Sequence, residues 1–435
     1  MVKPPARLVR WRILTVVLMF LGYSGYYLCR SNLSVAMPMI MDELEASGIA
    51  RAEAKIGLGE VASLGILGYA IGKFFCGSMA DFLGGRRNFL GGMAGSIVFT
   101  VLFALGGAIP LFTLAWVGNR VLQSLGWVGM IKITSRWFSF SNYGAVMGLL
   151  SLSFLFGDAA ARTFMAILIG QGLGWRGIFF VAAGTLSALF VLNLIWLKEA
   201  PDRIGEPEPP ANPENLYGEM GEDHAPESLG RLLSPLLRSP AFWSVCLVSL
   251  GFTLVRETFN TWTPTYFTEA IGLSHADAAE RSAFFPLFGG ASVLLAGFLG
   301  DRLGRGGRAA ILVGGLVLTG LALLVLGFAD LGASTRWPVG LVALIAFVLI
   351  GPYSYLAGAI ALDFGGKQGS ATASGLIDGV GYLGGVLAGK GMAQISVAHG
   401  WSGAFGVLAG VAWLSCIPAS MFFAHEYRRR GRPTP

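Results

Sequence analysis

The chain has 435 residues, is 54% apolar and only 13% charged, and carries a net charge of +6. With a mean hydropathy of +0.65 it cannot be a water-soluble globular domain, and its sparse charge offers no basic face for nucleic acid. Its four cysteines show neither CxxC nor Cys/His spacing, which excludes a disulfide framework and a metal site, so no cofactor is expected.

Apolar stretches near the roughly 20 residues that cross a hydrocarbon core follow one another from the N-terminus to Phe423, about twelve in all. This predicts an all-α membrane protein of two pseudo-symmetric six-helix bundles. The N-terminal bundle spans 1-198, a hydrophilic Pro/Glu-rich cytoplasmic linker spans 199-238, and the C-terminal bundle with a basic tail spans 239-435. The first run follows Arg7, Arg10 and Arg12 and continues to Met41 without a small-residue cleavage site, so it reads as a membrane helix, not a signal peptide. Most lysines and arginines fall in loops on the side of the N-terminus, which predicts that both termini are cytoplasmic. The start of the chain lacks the pattern of an organellar presequence, and the cell (inner) membrane is the expected location.

Charges inside the spans carry the functional signal, because an ionised side chain at the centre of a membrane helix costs roughly 2.5–3.5 kcal/mol even on the lenient insertion scale. On the first helix Tyr23, Tyr27 and Arg30 share a face, and on the second Tyr69 and Lys73 share another. Arg120 and Gln123 follow on the fourth, where both read as structural, and Asp158 with Arg162 on the fifth have the spacing of an internal ion pair. In the second half Arg256 lies as far beyond Arg238 as Arg30 lies beyond Arg12. These two arginines are therefore expected at equivalent depths, as a clamp for a divalent phosphate group that a guanidinium binds bidentately. Glu257 follows Arg256 on a different helix face, which argues against neutralisation of the arginine by its neighbour. Asp378 stands about 18 Å of helix before Lys390 and is a candidate acceptor for substrate hydroxyls.

The halves echo each other. Gly77-Ser-Met-Ala-Asp81-Phe-Leu-Gly84-Gly-Arg86-Arg87 recurs as Gly297-Phe-Leu-Gly-Asp301-Arg302-Leu-Gly304-Arg305. This element resembles the signature loop of the major facilitator superfamily between the second and third helices of each half. Asp81, Arg86, Arg87, Asp301, Arg302 and Arg305 are accordingly expected to act in gating, as a cytoplasmic latch.

Several further segments resemble one branch of that superfamily, the organophosphate:phosphate antiporters. They are Gly22-Tyr23 through Arg30-Ser-Asn32 and Ala36-Met37-Pro38, Tyr69-Ala-Ile-Gly-Lys73, Gln123-Ser-Leu-Gly126-Trp127, Arg256 with Trp262-Thr-Pro264, and Tyr382-Leu-Gly-Gly385. The resemblance covers nearly the whole chain. It implies that Arg30 and Arg256 bind the substrate phosphate and that Tyr23, Tyr27, Tyr69, Lys73, Trp127 and Trp262 line the cavity, with Asp378 beside them. It further implies a monomeric secondary transporter, not an enzyme, whose partners are an organic phosphate ester, inorganic phosphate and membrane lipid. Two departures bear on the ester: Ser31 stands where familiar members carry a second basic residue, and Phe154 where the glycerol-3-phosphate branch has a histidine. Gly375-Leu-Ile-Asp378-Gly looks closer to the animal sugar-phosphate exchangers, which leans toward a sugar phosphate. The alternatives are a sugar-phosphate sensor with a transporter fold, and a proton-coupled organic-anion symporter using Asp158 or Asp378.

Overall fold

In hydrocarbon every peptide group must be bonded within its own segment or sheet, so long apolar runs fold as helices. The computed structural model describes residues 5–209, 229–330 and 334–430; side chains of a few helical stretches, including 74–83, 300–301 and 304–305, lie outside the description. Among the described residues there is no strand.

The chain runs through α1 (Ala6–Ala46), α2 (Arg51–Leu83), α3 (Gly85–Ala104), α4 (Ile109–Trp137), α5 (Phe140–Gly170) and α6 (Trp175–Trp196). It continues with α7 (Leu229–Leu237), α8 (Pro240–Glu269), α9 (His275–Ser282), α10 (Phe284–Phe328), α11 (Arg336–Tyr353), α12 (Ala361–Ala388) and α13 (Lys390–Arg430). Ten stretches are long and apolar enough to cross a membrane. The last of them, Ala373–Arg428, has 56 residues, far more than one crossing needs. It breaks at Gly400, whose φ of +68° is open to glycine without strain. Together with α4, whose polar residues keep it out of that set, about twelve crossings result.

The described residues of Met1–Pro213 and Ser274–Ala283 form one compact unit, and those of Glu214–Leu273 and Phe284–Pro435 form another. The short helix α9 therefore packs with the first unit, on α5 and α1, although it follows α8 in sequence.

Within each unit the neighbours repeat. In the first, α1 packs on α5 and α6, α4 packs on α2 and α3, and α3 packs on α6. In the second, α8 packs on α12 and α13, while α10, which carries two spans, packs on α11 and α13. Close packing rests on small residues, as expected where no hydrophobic force drives helices together. A Cβ on Gly384 would sit 2.3 Å from the Leu250 carbonyl oxygen, so the approach of α12 to α8 requires glycine there.

The hydrophilic stretch after α6 begins with a short 3-10 turn, Pro201–Ile204, with Pro201 and Ile204 buried, and α7 precedes α8. The two copies of the signature also differ. The first spans the α2–α3 junction, where Gly84 has a φ of +87°, whereas helical structure continues through the second inside α10.

Candidate functional site

In the first unit α1 presents a run of aromatic residues. Tyr26 donates its hydroxyl to the Phe89 carbonyl at 2.5 Å, locking α1 to α3. Tyr23 lies with ring centroids 6.0 Å from Tyr27 and 5.5 Å from Trp127, and Trp127 lies 6.4 Å from Phe154. One turn further on, the Arg30 guanidinium carbon stands 5.2 Å from the Tyr27 ring centre and 4.5 Å from that of Tyr69. Lys73 Nζ is 5.2 Å from the same Tyr69 ring, and the Arg120 guanidinium carbon is 4.7 Å from it. Three cations thus gather around one buried phenol, 4% exposed.

A single cation–π contact is worth about 0.5–2 kcal/mol, less than the roughly 2.5–3.5 kcal/mol cost of a guanidinium in mid-membrane. The two rings beside Arg30 together offset a large share of that cost. The structure brings Tyr23, Tyr27, Arg30, Tyr69, Lys73 and Trp127 into one cluster and adds Arg120, which local spacing had marked as structural.

Polar residues of α4 hold this arrangement. Gln123 Nε2 donates to the carbonyls of Cys29 at 3.1 Å and Tyr26 at 3.4 Å, and its Oε1 accepts from Arg120 Nη1 at 3.4 Å. Asn119 Nδ2 donates to Thr100 Oγ1 at 2.9 Å and to the Cys29 carbonyl at 3.3 Å. The backbone just before Arg30 is thus tied to α4 from two successive turns.

The Asp158–Arg162 ion pair forms as the spacing indicates, at 2.9 Å, with the two side chains 11% and 3% exposed. It is wider than a pair. Ser31 donates to Asp158 Oδ1 at 2.5 Å, and Arg162 Nη1 reaches Ser282 of α9 at 3.2 Å. The serine beside Arg30 is therefore engaged in bracing α1 against α5.

In the second unit Arg256 stands 4.5 Å from the Tyr353 ring centre. Asp378 and Tyr382 of α12 lie near it. Contrary to the expectation from helix faces, Arg256 Nη2 bonds Glu257 Oε1 at 2.7 Å. Adjacent Cβ atoms diverge on a helix, but two long side chains fold back over the same turn and meet where desolvation rewards pairing. Among the described residues Arg256 Nε is buried and meets no acceptor. Trp262 lies in the second unit. It is 1% exposed and donates its indole N–H to the Ala388 carbonyl at 2.9 Å, so it packs α8 against α12.

The signature residues divide. Side chains of Asp81, Asp301 and Arg305 lie outside the described residues. Arg86 closes the end of α6 by donating to the carbonyls of Leu197 and Leu194, each at 2.6 Å, while Glu199 accepts the first backbone N–H groups of α3 from Gly85 and Arg86. Arg136 joins Glu199 at 3.7 Å and also pairs with Glu208. Arg87 is exposed, and Arg302 lies 4.1 Å from the Phe298 ring centre. Glu199 carried no signal in the sequence, since its role depends on where α6 ends.

A finer repeat emerges from these contacts. Arg30 and Arg256, Pro38 and Pro264, Glu43 and Glu269, and Trp175 and Trp401 are all separated by the same interval. Glu43 accepts the Trp175 indole N–H at 2.7 Å, and Glu269 accepts that of Trp401 at 3.0 Å. Each unit therefore ties the end of its arginine-bearing helix to the start of its last helix by the same acid–indole bond.

The comparisons agree with this architecture. A probable hexose phosphate transport protein of Chlamydia muridarum is 28% identical, covering 95% of this chain and 90% of its own. The membrane sensor protein UhpC of Salmonella typhimurium is 27% identical, covering 95% and 91%. Among solved structures, an inward-facing bacterial homologue of the human lysosomal transporter Spinster superposes with a TM-score of 0.75 at 15% identity, over 98% of this chain and 99% of that one, and so shares the fold. The sequence model described as Major Facilitator Superfamily matches residues 19–389. This integral membrane chain, with its repeated helix neighbours and its repeated acid–indole ties, belongs to the major facilitator superfamily.

Proposed function

We propose that the chain is a secondary transporter that exchanges an organic phosphate ester for inorganic phosphate by alternating access. The observation that carries this reading is the gathering of Arg30, Lys73 and Arg120 around the Tyr69 ring inside a membrane unit. Such a site repels cations and suits a compact polyvalent anion. Arg30 binds the phosphate in the first half, and Arg256 holds the equivalent position in the repeat of the second. Tyr23, Tyr27 and Trp127 shape the room for the organic group in the first half, and Asp378 is an acceptor for hydroxyls in the second. A bound dianion adds compensating charge to this cationic cluster and so favours its burial when the protein closes. Exchange is therefore favoured over leak.

No bond is made or broken in this cycle, and no enzymatic step is assigned. The location is the cell inner membrane, with both termini cytoplasmic. The test is uptake of labelled phosphate into proteoliposomes preloaded with phosphate, competed by a panel of phosphate esters. Uptake that requires internal phosphate and is inhibited by sugar phosphates is the expected result. The similarity to a membrane sensor protein favours a second reading, a receptor that binds the same ester without turnover. Saturable binding with no exchange selects that reading.

A further inference from the structure

We propose that the second unit carries a binding site for an uncharged sugar ring, in a cavity of about 370 Å³ walled by Tyr266, Trp401 and Phe405. Every residue lining it belongs to that unit, so the site is complete within one half and does not rest on the phosphate reading. The repeat supplies an internal control. The interval that relates Arg30 to Arg256 also relates Trp175 to Trp401 and Phe179 to Phe405. In the first unit this corner is solid: Phe103 stacks on Phe112 at 4.6 Å and on Phe179 at 4.8 Å, and the Arg176 guanidinium carbon stands 4.2 Å from the Trp175 ring centre. At the same interval the second unit has Pro338 for Phe112 and Ser402 for Arg176. A ring and a guanidinium are gone, and the cavity opens beside the retained Trp401 and Phe405.

What is added is polar. Tyr266 stands where the first unit has Ile40, which is 1% exposed. Tyr266 is itself 5% exposed, and among the described residues its hydroxyl has no hydrogen-bond partner. A phenol in place of a buried isoleucine gains nothing in packing while its hydroxyl goes unbonded, so the partner comes from what fills the cavity. Tyr266 lies 4.8 Å from Phe405 and 5.4 Å from Trp401 between ring centres, which makes an aromatic floor. Exposed Ser334 and Ser402 and half-buried Thr335 stand at its mouth. Such a floor suits the C–H face of a pyranose, and the hydroxyls suit its edge. The described lining holds no Lys, Arg, Asp or Glu, which disfavours a phosphate or an ammonium group, and the hydroxyl mouth disfavours an acyl chain. The volume is at the small end of the roughly 300–1,000 Å³ of ligand pockets, room for one ring. The cavity lies at the end of the span Gly306–Phe328 that is remote from the signature repeat, the face that cytoplasmic termini put outside.

The test is fluorine NMR of the full chain carrying fluorotryptophan in phosphatidylcholine nanodiscs free of sugar-headed detergent, titrated with the methyl glycosides of glucose, galactose and mannose. Trp401→Phe and Trp175→Phe assign the two resonances. The expected result is a saturable shift at Trp401 with at least one glycoside, at roughly millimolar concentration, with Trp175 unmoved. Tyr266→Phe removes only the hydroxyl and should weaken that binding about threefold to tenfold. Pro338→Phe returns the ring of the first half and should abolish it. Inorganic phosphate should leave the Trp401 resonance in place. The inference is overturned if no glycoside moves Trp401, if Tyr266→Phe or Pro338→Phe binds sugar as the wild type does, or if phosphate alone saturates the shift. A resonance that answers to exchanging the lipid for phosphatidylglycerol and not to sugar also overturns it. Should one variant fail to fold, the other decides. Intact phosphate exchange in proteoliposomes with no sugar shift overturns this site only, and sugar binding without exchange overturns the exchange reading only.

Discussion

Arg30 and Arg256 occupy equivalent places in the repeat and have unlike surroundings. Around Arg30 are the rings of Tyr27 and Tyr69, with Lys73 and Arg120 on the same phenol. Around Arg256 are the Tyr353 ring and a carboxylate at 2.7 Å. The backbone repeat is kept down to the proline that follows each arginine and the acid–indole tie at each helix end, while the charges have diverged. Duplication keeps the interval, while the surrounding side chains set the charges that each guanidinium meets. An anion reaching Arg256 must compete with Glu257, whereas one reaching Arg30 meets further cations.

The largest expected effect breaks or keeps that asymmetry. Arg30→Lys should lower phosphate exchange by about a hundredfold, and Arg256→Lys by about tenfold, because a point charge cannot reproduce the fork and the second fork is already partly engaged. Equal losses in the proteoliposome assay would remove the distinction, and near-normal exchange in both would sink the paired-arginine mechanism. Asp158→Ala leaves Arg162 buried without its partner, which should cost about 3–5 kcal/mol of stability. Unfolding titrations should show that cost reduced in the Asp158→Ala, Arg162→Leu double variant.

Glu257→Gln sharpens the same comparison from the other side. Releasing Arg256 from its counter-ion should tighten phosphate binding several-fold, roughly 1 kcal/mol, and slow exchange by retarding release. Weaker binding would mean that Glu257 orients Arg256 instead of competing for it. The smallest effects belong to the ties. Trp175→Phe and Trp401→Phe should each cost about 1 kcal/mol or less, since these carboxylates lie near the helix ends within reach of water. Similar falls in melting temperature would mark the two bonds as equivalent.

Much of this was legible in the residues. Apolar length marked the crossings, a repeated interval marked the arginines, and helical spacing put Tyr23, Tyr27 and Arg30 on one face and joined Asp158 to Arg162. What escaped was tertiary. Nothing within α4 indicates that Arg120 meets a phenol on α2, because that contact depends on how closely two helices approach. Gly65 shows how: a Cβ there would meet the Trp116 ring at 2.4 Å and Arg120 Cγ at 3.2 Å, so a bare backbone admits both side chains. Glu257 escaped because helix-face reasoning follows Cβ directions and ignores the reach of long side chains. The proline and glutamate content of the linker does not show that Pro201 and Ile204 pack or that Glu208 pairs with Arg136.

The acid–indole bonds have one more consequence. Trp175 and Trp401 place a fluorophore at matching positions in the two halves, each with its N–H held by a carboxylate. Protonating or displacing that carboxylate changes the polarity the indole senses. Fluorinated tryptophan at these two sites would thus give one resonance per half, and the chain would carry a separate, built-in readout of what each half does when ligand arrives.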